Sequence, residues 1–315
     1  MVYYFTDMTL QQMIKFDEEI NRTVPDDSIT FDFSKVSNFD LLTMLTVFEI
    51  IRRYEGKYHD VSFYIEGLKD WEKSCCIPIT PIFFDNLQKR EFEQGIYLEM
   101  GNVIEKEASR LSQSLDHKNA ELHKLLTFLI REMLRNTPEH AKVRKAWICA
   151  RNIESSDYTE IAVADEGIGV FKSITSNHNH REYIKDNATA LQWVLKAGIS
   201  KAFSPSQKQR SENEWANSGF GLYMVSRICL SLNGSFTIIS NKNYLEMTNN
   251  QIKQGETSFC GTALKIRLRS KYIVDAQSII SRTAKNGEAE AKTIRNSFKS
   301  SSVTSRGLMN ELNIE

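Results

Sequence analysis

Ile29 to Phe33 (ITFDF) alternates apolar and polar side chains, the period of a strand with one face buried. From Phe39 to Tyr54 the apolar positions fall at helical spacing, and Val61 to Ile65 (VSFYI) returns to strand character. A strand, a helix and a strand in that order predict a crossover joining a parallel pair. A loop holding Pro78 and Pro81 and a less patterned stretch to Gly101 follow, so residues 1–101 read as a small α/β domain.

Val103 to Asn136 contains neither glycine nor proline, and Leu111, Leu115, Leu122, Leu125, Leu126, Ile130, Met133 and Leu134 recur mostly at three- and four-residue intervals. That spacing predicts one long helix or two helices end to end. Pro138 lacks an amide donor and biases Thr137 away from helical angles, so the helix is expected to end close to Asn136. Strands are predicted near Lys145 to Arg151 and Thr159 to Ala164, followed by a polar stretch holding one helix, Ala188 to Ala197. A helix at Leu222 to Leu232 and strands at Ser235 to Ser240 and Thr262 to Leu268 complete a second unit, residues 102–270. The tail, 271–315, is rich in Ser, Lys, Asn and Arg and reads as a helix followed by a mobile end.

Lysine plus arginine equal aspartate plus glutamate at 40 each. Zero net charge removes the usual electrostatic case for nucleic acid or an anionic membrane as the main partner. The cysteines, Cys75, Cys76, Cys149, Cys229 and Cys260, show no C-x-x-C spacing and are expected to be free buried thiols. The opening MVYYFTDMTLQQM has no basic segment before a long apolar run, and no stretch is apolar enough to span a bilayer, so a cytoplasmic protein is expected.

Four segments carry candidate chemistry. In REMLRNTPEHA, Glu132 and Asn136 stand four apart and share a helix face. An amide oxygen suits a hard magnesium ion and a carboxylate can accept a proton from water, although such a pair on a solvated face is also commonplace. DEGIG, Asp165 to Gly169, follows a strand. A carboxylate there can accept a hydrogen bond from the exocyclic amine of adenine, while a plain Asp/Gly turn has the same composition. In NSGFGLYMVSRI, Gly219 and Gly221 lead into a helix, an arrangement that can meet phosphates or simply open a core helix. GTALKIRL places Thr262 at the start of a strand, where its hydroxyl can face a cleft or its β-branch can favour the strand.

Taken in order, these segments resemble the GHKL superfamily of gyrase, the large heat-shock chaperone, histidine kinases and MutL, which share the Bergerat ATP-binding fold. The resemblance spans about half of the chain. It implies a two-layer α/β sandwich with helices on one face of a mixed sheet, binding ATP and Mg2+ under a mobile lid. Carried over, Asn136 would bind magnesium and Glu132 would orient or deprotonate the attacking water. Asp165 would recognise adenine, Gly167 and Gly169 would shape the base pocket, and Thr262 would support that contact. Gly219 and Gly221 would meet the phosphates with Leu222 beside them, the lid would run from Phe171 to Ala216, and Lys201 within it would be a phosphate partner. His140 stands four beyond Asn136, with Pro138 breaking the register between them. NTPEHA is similar to the matching segment of anti-sigma-factor serine kinases.

The N-terminal unit resembles a STAS domain, the fold of anti-sigma-factor antagonists, in FDFSKVSNFDLLTML. Leu41 and Leu42 follow Asp40 where phosphorylated members carry serine, which implies a docking module without its phosphoacceptor, Thr43 being the remaining candidate. An unrelated α/β domain is the alternative.

The expected function is a magnesium-dependent ATPase that changes shape to act on a protein partner. A serine-directed protein kinase is the second expectation and a nucleotide-sensing scaffold without turnover the third. His117 and His123 lie in the helix leading to Glu132, too close to form the separate dimerisation domain of a histidine kinase. A homodimer is open, because no sustained heptad seam specifies one.

Overall fold

The structure is a computed structural model. It describes residues 1–84, 94–115, 118–201, 219–271, 273–295 and 297–301, with the backbone alone at 94–100 and Glu154. His117, the motif residues Asn217 and Ser218, the 202–216 part of the expected lid and the expected mobile end at 302–315 lie outside the described residues.

The chain is α/β. Strands β1 (Val2–Tyr4), β2 (Ser28–Asp32) and β3 (Ser62–Glu66) form a parallel sheet in that order. The crossover expected between residues 29 and 65 is present, with helix α2 (Leu41–Glu55) between β2 and β3. β1 and helix α1 (Leu10–Arg22), whose apolar face of Met13, Phe16 and Ile20 is buried, go beyond the elements expected from the sequence. Phe5, Phe16, Phe31 and Phe33 fill this sheet's inner side, with Phe5 stacked on Phe33 at 4.2 Å.

Seven further strands follow: β4 (Ile77–Phe83), β5 (Lys145–Ile153), β6 (Tyr158–Asp165), β7 (Ser235–Ser240), β8 (Asn243–Thr248), β9 (Ile252–Glu256) and β10 (Thr262–Arg269). They form one sheet ordered β4-β5-β6-β10-β7-β8-β9. Every neighbouring pair is antiparallel, which corrects the expected mixed sheet. Short connections set this direction: β5–β6, β7–β8 and β8–β9 turn back at once, with Asp157 and Asn241 at positive φ in the first two turns. The segment read as a Pro78 and Pro81 loop is edge strand β4, where a proline need not donate to a ladder. The large sheet therefore begins before the boundary read at residue 101.

Helix α4 (Gln94–Leu115) and α5 (Ala120–Asn136) are folded back on each other rather than end to end: Ser112 meets His123 and Thr127, and Glu105 meets Arg131. Asn119 starts α5 by accepting the Leu122 N–H at 3.0 Å. With α8 (Gly221–Ser231) and α9 (Ala276–Thr293), this hairpin covers one face of the sheet, packing Ile130, Met133, Val225 and Ile228 onto Ile148, Val163, Ile238 and Leu264. Two shorter helices are α3 (Lys69–Ser74) and α7 (Asn187–Val194), the latter being the helix expected at Ala188 to Ala197; the tail's expected helix is α9.

The opposite face is not bare. Trp147, Cys149, Ala162, Ala164, Ile239 and Ala263 pack into the same core as α2 and the phenylalanines of the small sheet. Helix α2 thus lies between the two sheets, and Leu41 to Val47 runs without an exposed residue. Asp40 caps it by accepting the Thr43 N–H at 3.0 Å and pairs with Lys265 on β10. Burial pushes the Asp40 carboxyl up, but Lys265 and Thr43 more than offset this and hold it below its usual range. Thr43 is only 2% exposed and donates to Asp40, so the remaining phosphoacceptor candidate is out of reach. Cys149 and Cys229 are buried as expected, whereas Cys76 and Cys260 are exposed. No helix among the described residues is long and apolar enough to cross a membrane.

Glu49 is the oddity of α2: it is 2% exposed and no donor reaches either carboxyl oxygen. Burial first, then the neighbouring Glu166, pushes it up to about 9, against the pull of Arg52 and Lys145. The folded chain keeps this proton over the pH range where the unfolded chain, near 4.5, has lost it. The contribution of this group to stability then falls as pH rises from 4.5 towards 9. Glu49→Gln is expected to flatten that decline in thermal melts across the interval, and a wild-type slope retained by the variant would disprove the assignment.

Candidate functional site

Helix α5 does not stop at Pro138. It passes into a π turn, Thr137–Ala141, in which Thr137 keeps helical angles (φ −66°, ψ −63°), and Lys142 ends it at φ 60°. The wider turn accommodates the proline ring and its missing donor, so the expected departure at Thr137 does not occur. Glu139, His140 and Ala141 are thereby carried onto the wall of a cleft of about 950 Å3, open mouth included.

The cleft lies between the end of α5, the adjacent ends of β6 and β10, helix α6 (Gly169–Ile174), the segment Ile199–Lys201 and the start of α8. Glu132, Asn136, Asp165, Gly169, Lys201, Gly219, Gly221, Leu222 and Thr262 all line it. Gly167 is the one expected residue outside the lining, and it acts from behind, donating its N–H to Asp165 Oδ1 at 2.8 Å.

Asp165 ends β6 directly opposite Thr262, the first residue of β10. Burial pushes its carboxyl up to about 7, against hydrogen bonds from the Gly167 and Thr262 backbones and the Thr137 side chain. At neutral pH this group is poised between acceptor and donor. The turn after it depends on Gly169, whose φ is +77° and where a Cβ would stand 2.0 Å from Asn241 Nδ2. Asn241 in turn donates to Ile168 O at 3.2 Å and accepts the Gly261 N–H at 3.1 Å, tying DEGIG to the start of β10.

Across the cleft Glu132 is 3% exposed. Its Oε1 accepts from Arg131 Nε at 3.2 Å and Nη2 at 3.1 Å, with Arg135 Nη1 at 3.6 Å. Arg131 is itself fully buried, stacked 4.8 Å over Phe128 and paired with Glu105 of α4 at 3.3 Å. The other oxygen, Oε2, points to the start of α8, 2.8 Å from where a Cβ on Gly221 would be. One oxygen is thus anchored while the other faces the helix N-terminus. Asn136 donates through Nδ2 to Glu132 O at 2.6 Å and Met133 O at 3.3 Å, which leaves its amide oxygen for an acceptor role.

His140 lines the cleft despite the broken register. Burial, then the charges of Lys201 and Arg135, push it down to about 3, so it is neutral at physiological pH. Lys201 is held by donating to the Glu139 carbonyl, and burial lowers its affinity for its proton. Among the described residues no group of three or more His, Cys, Asp or Glu side chains could hold a metal by itself.

Arg131, Arg135, Glu139 and Asn241 were not picked out from the sequence. Arg131 had a signal: a cation inside the apolar run LLTFLIREML must be paired once the helix is buried. Asn241 had none, because it acts through backbone groups far away in sequence.

No known family model matches the chain, and comparison with curated proteins finds no similar sequence.

Removing one partner of a buried ion pair leaves the other charge uncompensated, at a cost of about 3–5 kcal/mol. Arg131→Met is therefore expected to destabilise the fold by that order in denaturant titrations, and the double variant Arg131→Met/Glu132→Leu to recover much of it. A double variant no more stable than the single would show that the pairing with Glu132 is not what Arg131 supplies.

Proposed function

We propose that the cleft binds ATP with magnesium and hydrolyses it, the change of nucleotide state acting on a protein partner. The observation that carries this reading is convergence: four segments separated in sequence, between Glu132 and Thr262, supply the two ends of one cleft. The architecture behind them, a helical layer on one sheet face, supports a Bergerat-type assignment, with the N-terminal unit as the docking module that the STAS-like segment implies.

In this reading Asp165 accepts from the exocyclic amine of adenine, with Thr262 beside it and the Gly167 N–H holding Oδ1 in place. The base then sits against Val163 and Leu264, and the phosphates reach towards Gly219 and Gly221. The N-terminus of α8, whose N-cap Phe220 makes no side-chain capping bond, presents its first amides and the positive end of the helix dipole to those phosphates. Lys201 adds a cation on the same side. Glu132 Oε2, the oxygen not held by Arg131, takes the proton from the attacking water. Bound magnesium, held by the Asn136 amide oxygen together with phosphate oxygens and water, would neutralise charge on the phosphates. The donor chemistry fits: a magnesium ion that keeps several waters and takes phosphate oxygens needs few protein ligands, and the Asn136 amide oxygen offers one at the cleft.

Calorimetry with ATP and magnesium tests the site. Asp165→Asn would keep the Gly167 bond through its oxygen and present an amide donor to the adenine amine, so binding should weaken by about 10- to 100-fold. Glu132→Gln should bind as wild type and lose about 10²- to 10⁴-fold in phosphate release. Because the ionised form of Asp165 is the acceptor, wild-type affinity should rise as pH increases through about 7. A folded wild type that binds no ATP, or a Glu132→Gln protein that hydrolyses normally, defeats the proposal at the nucleotide or at the base respectively.

A further inference from the structure

The cleft wall Ile199–Lys201, and Gly198 directly before it, belong to no helix or strand, so their backbone groups must find partners elsewhere. The partners come from several distant places. The Gly198 N–H donates to Gly219 O at 3.2 Å, at the approach to α8. The Ser200 carbonyl accepts from His180 Nε2 at 2.9 Å, and the Lys201 carbonyl from Asn177 Nδ2 at 2.9 Å. The Gly198 carbonyl accepts the Phe298 N–H at 2.8 Å.

Phe298 stands beyond α9, in a segment outside both sheets. That segment is fastened locally. Ser297 Oγ and Lys299 Nζ donate to Ala291 O at 3.0 and 2.8 Å, and the Ser301 N–H and hydroxyl donate to Glu288 Oε1 at 3.0 and 2.8 Å. The Phe298 ring packs against the main core. The approach to the wall is so close that only glycine fits: Gly198 has φ +77°, and a Cβ there would stand 2.1 Å from the Phe298 carbonyl oxygen. A tail segment thus bonds the backbone three residues before Lys201.

We propose that Ser297–Ser301 positions this wall of the cleft, so that docking of the segment and binding of nucleotide are coupled. The inference rests on the nucleotide reading above. Coupling is reciprocal: nucleotide tightens the docked segment, and a protein that pulled the segment away would loosen nucleotide. Regulation of the cleft then has a defined handle, the chain after α9.

The test uses the full chain. In the wild type, ADP with magnesium should slow hydrogen exchange at the amides of Phe298 and Gly198. Phe298→Pro, which removes the donor, should bind ADP about tenfold more weakly, as expected for one lost backbone hydrogen bond. Phe298→Leu, which keeps the donor and an apolar side chain, should bind as wild type. The exchange measurement does not depend on either variant folding. Wild type that binds ADP with no slowing at Phe298, or equal affinity in folded Pro and Leu variants, overturns the coupling and leaves the nucleotide site standing. Wild type that binds no ADP removes both.

Discussion

An ionised carboxylate inside a protein costs several kcal/mol unless a counter-charge and hydrogen bonds go in with it, and Glu132 meets that condition through its neighbour in sequence. Arg131 engages one oxygen twice and is itself held by Glu105 from α4. The fold-back of α4 on α5 is what brings Glu105 to Arg131, and it also buries Ile104, Ala108 and Leu111 in one core with Leu122, Leu125 and Leu126. The same hairpin seats α5 on the sheet, which places Asn136 and the π turn at the cleft. The chemistry proposed for the site rests on a charged cluster paired across two helices.

The other end of the cleft is set by strand register. Asp165 and Thr262 are partners only because β10 returns antiparallel beside β6 and starts where β6 ends. A slip of one residue would turn the side chains to the opposite faces and put Thr262 out of place. Helix α2 lies under these strands, and Glu49 on it feels the charge of Glu166, next to Asp165. The small parallel sheet and the large antiparallel one therefore share a core rather than meeting at a linker, and Glu166, the residue after Asp165, lies beside Glu49 of the N-terminal unit.

Much of this was legible in the chain. The helical period of Leu122 to Leu134 and the glycines before Leu222 located α5 and α8, and the apolar strands around Ile148, Ile161, Ile238 and Leu264 located the sheet's middle. The edges were harder. β4 carries two prolines, β1 has three residues, β8 is buried only at alternate positions, and β9 is exposed over nearly its whole length. Pro138 by itself predicts a stop, whereas the helix absorbs it in a π turn, a choice made by packing rather than by the residue alone.

The sequence by itself determined periods and residue types: which stretches form helices and strands, where glycine relieves the backbone, and which carboxylates, amides and cations are at hand. The tertiary structure alone decided the pairings, Asp165 with Thr262, Arg131 with Glu105, Asn241 with Gly261 and Gly198 with Phe298. Local periodicity reports only which face of an element is buried. Backbone hydrogen bonds carry no side-chain label, so which distant segment meets that face follows from closing the whole core at once.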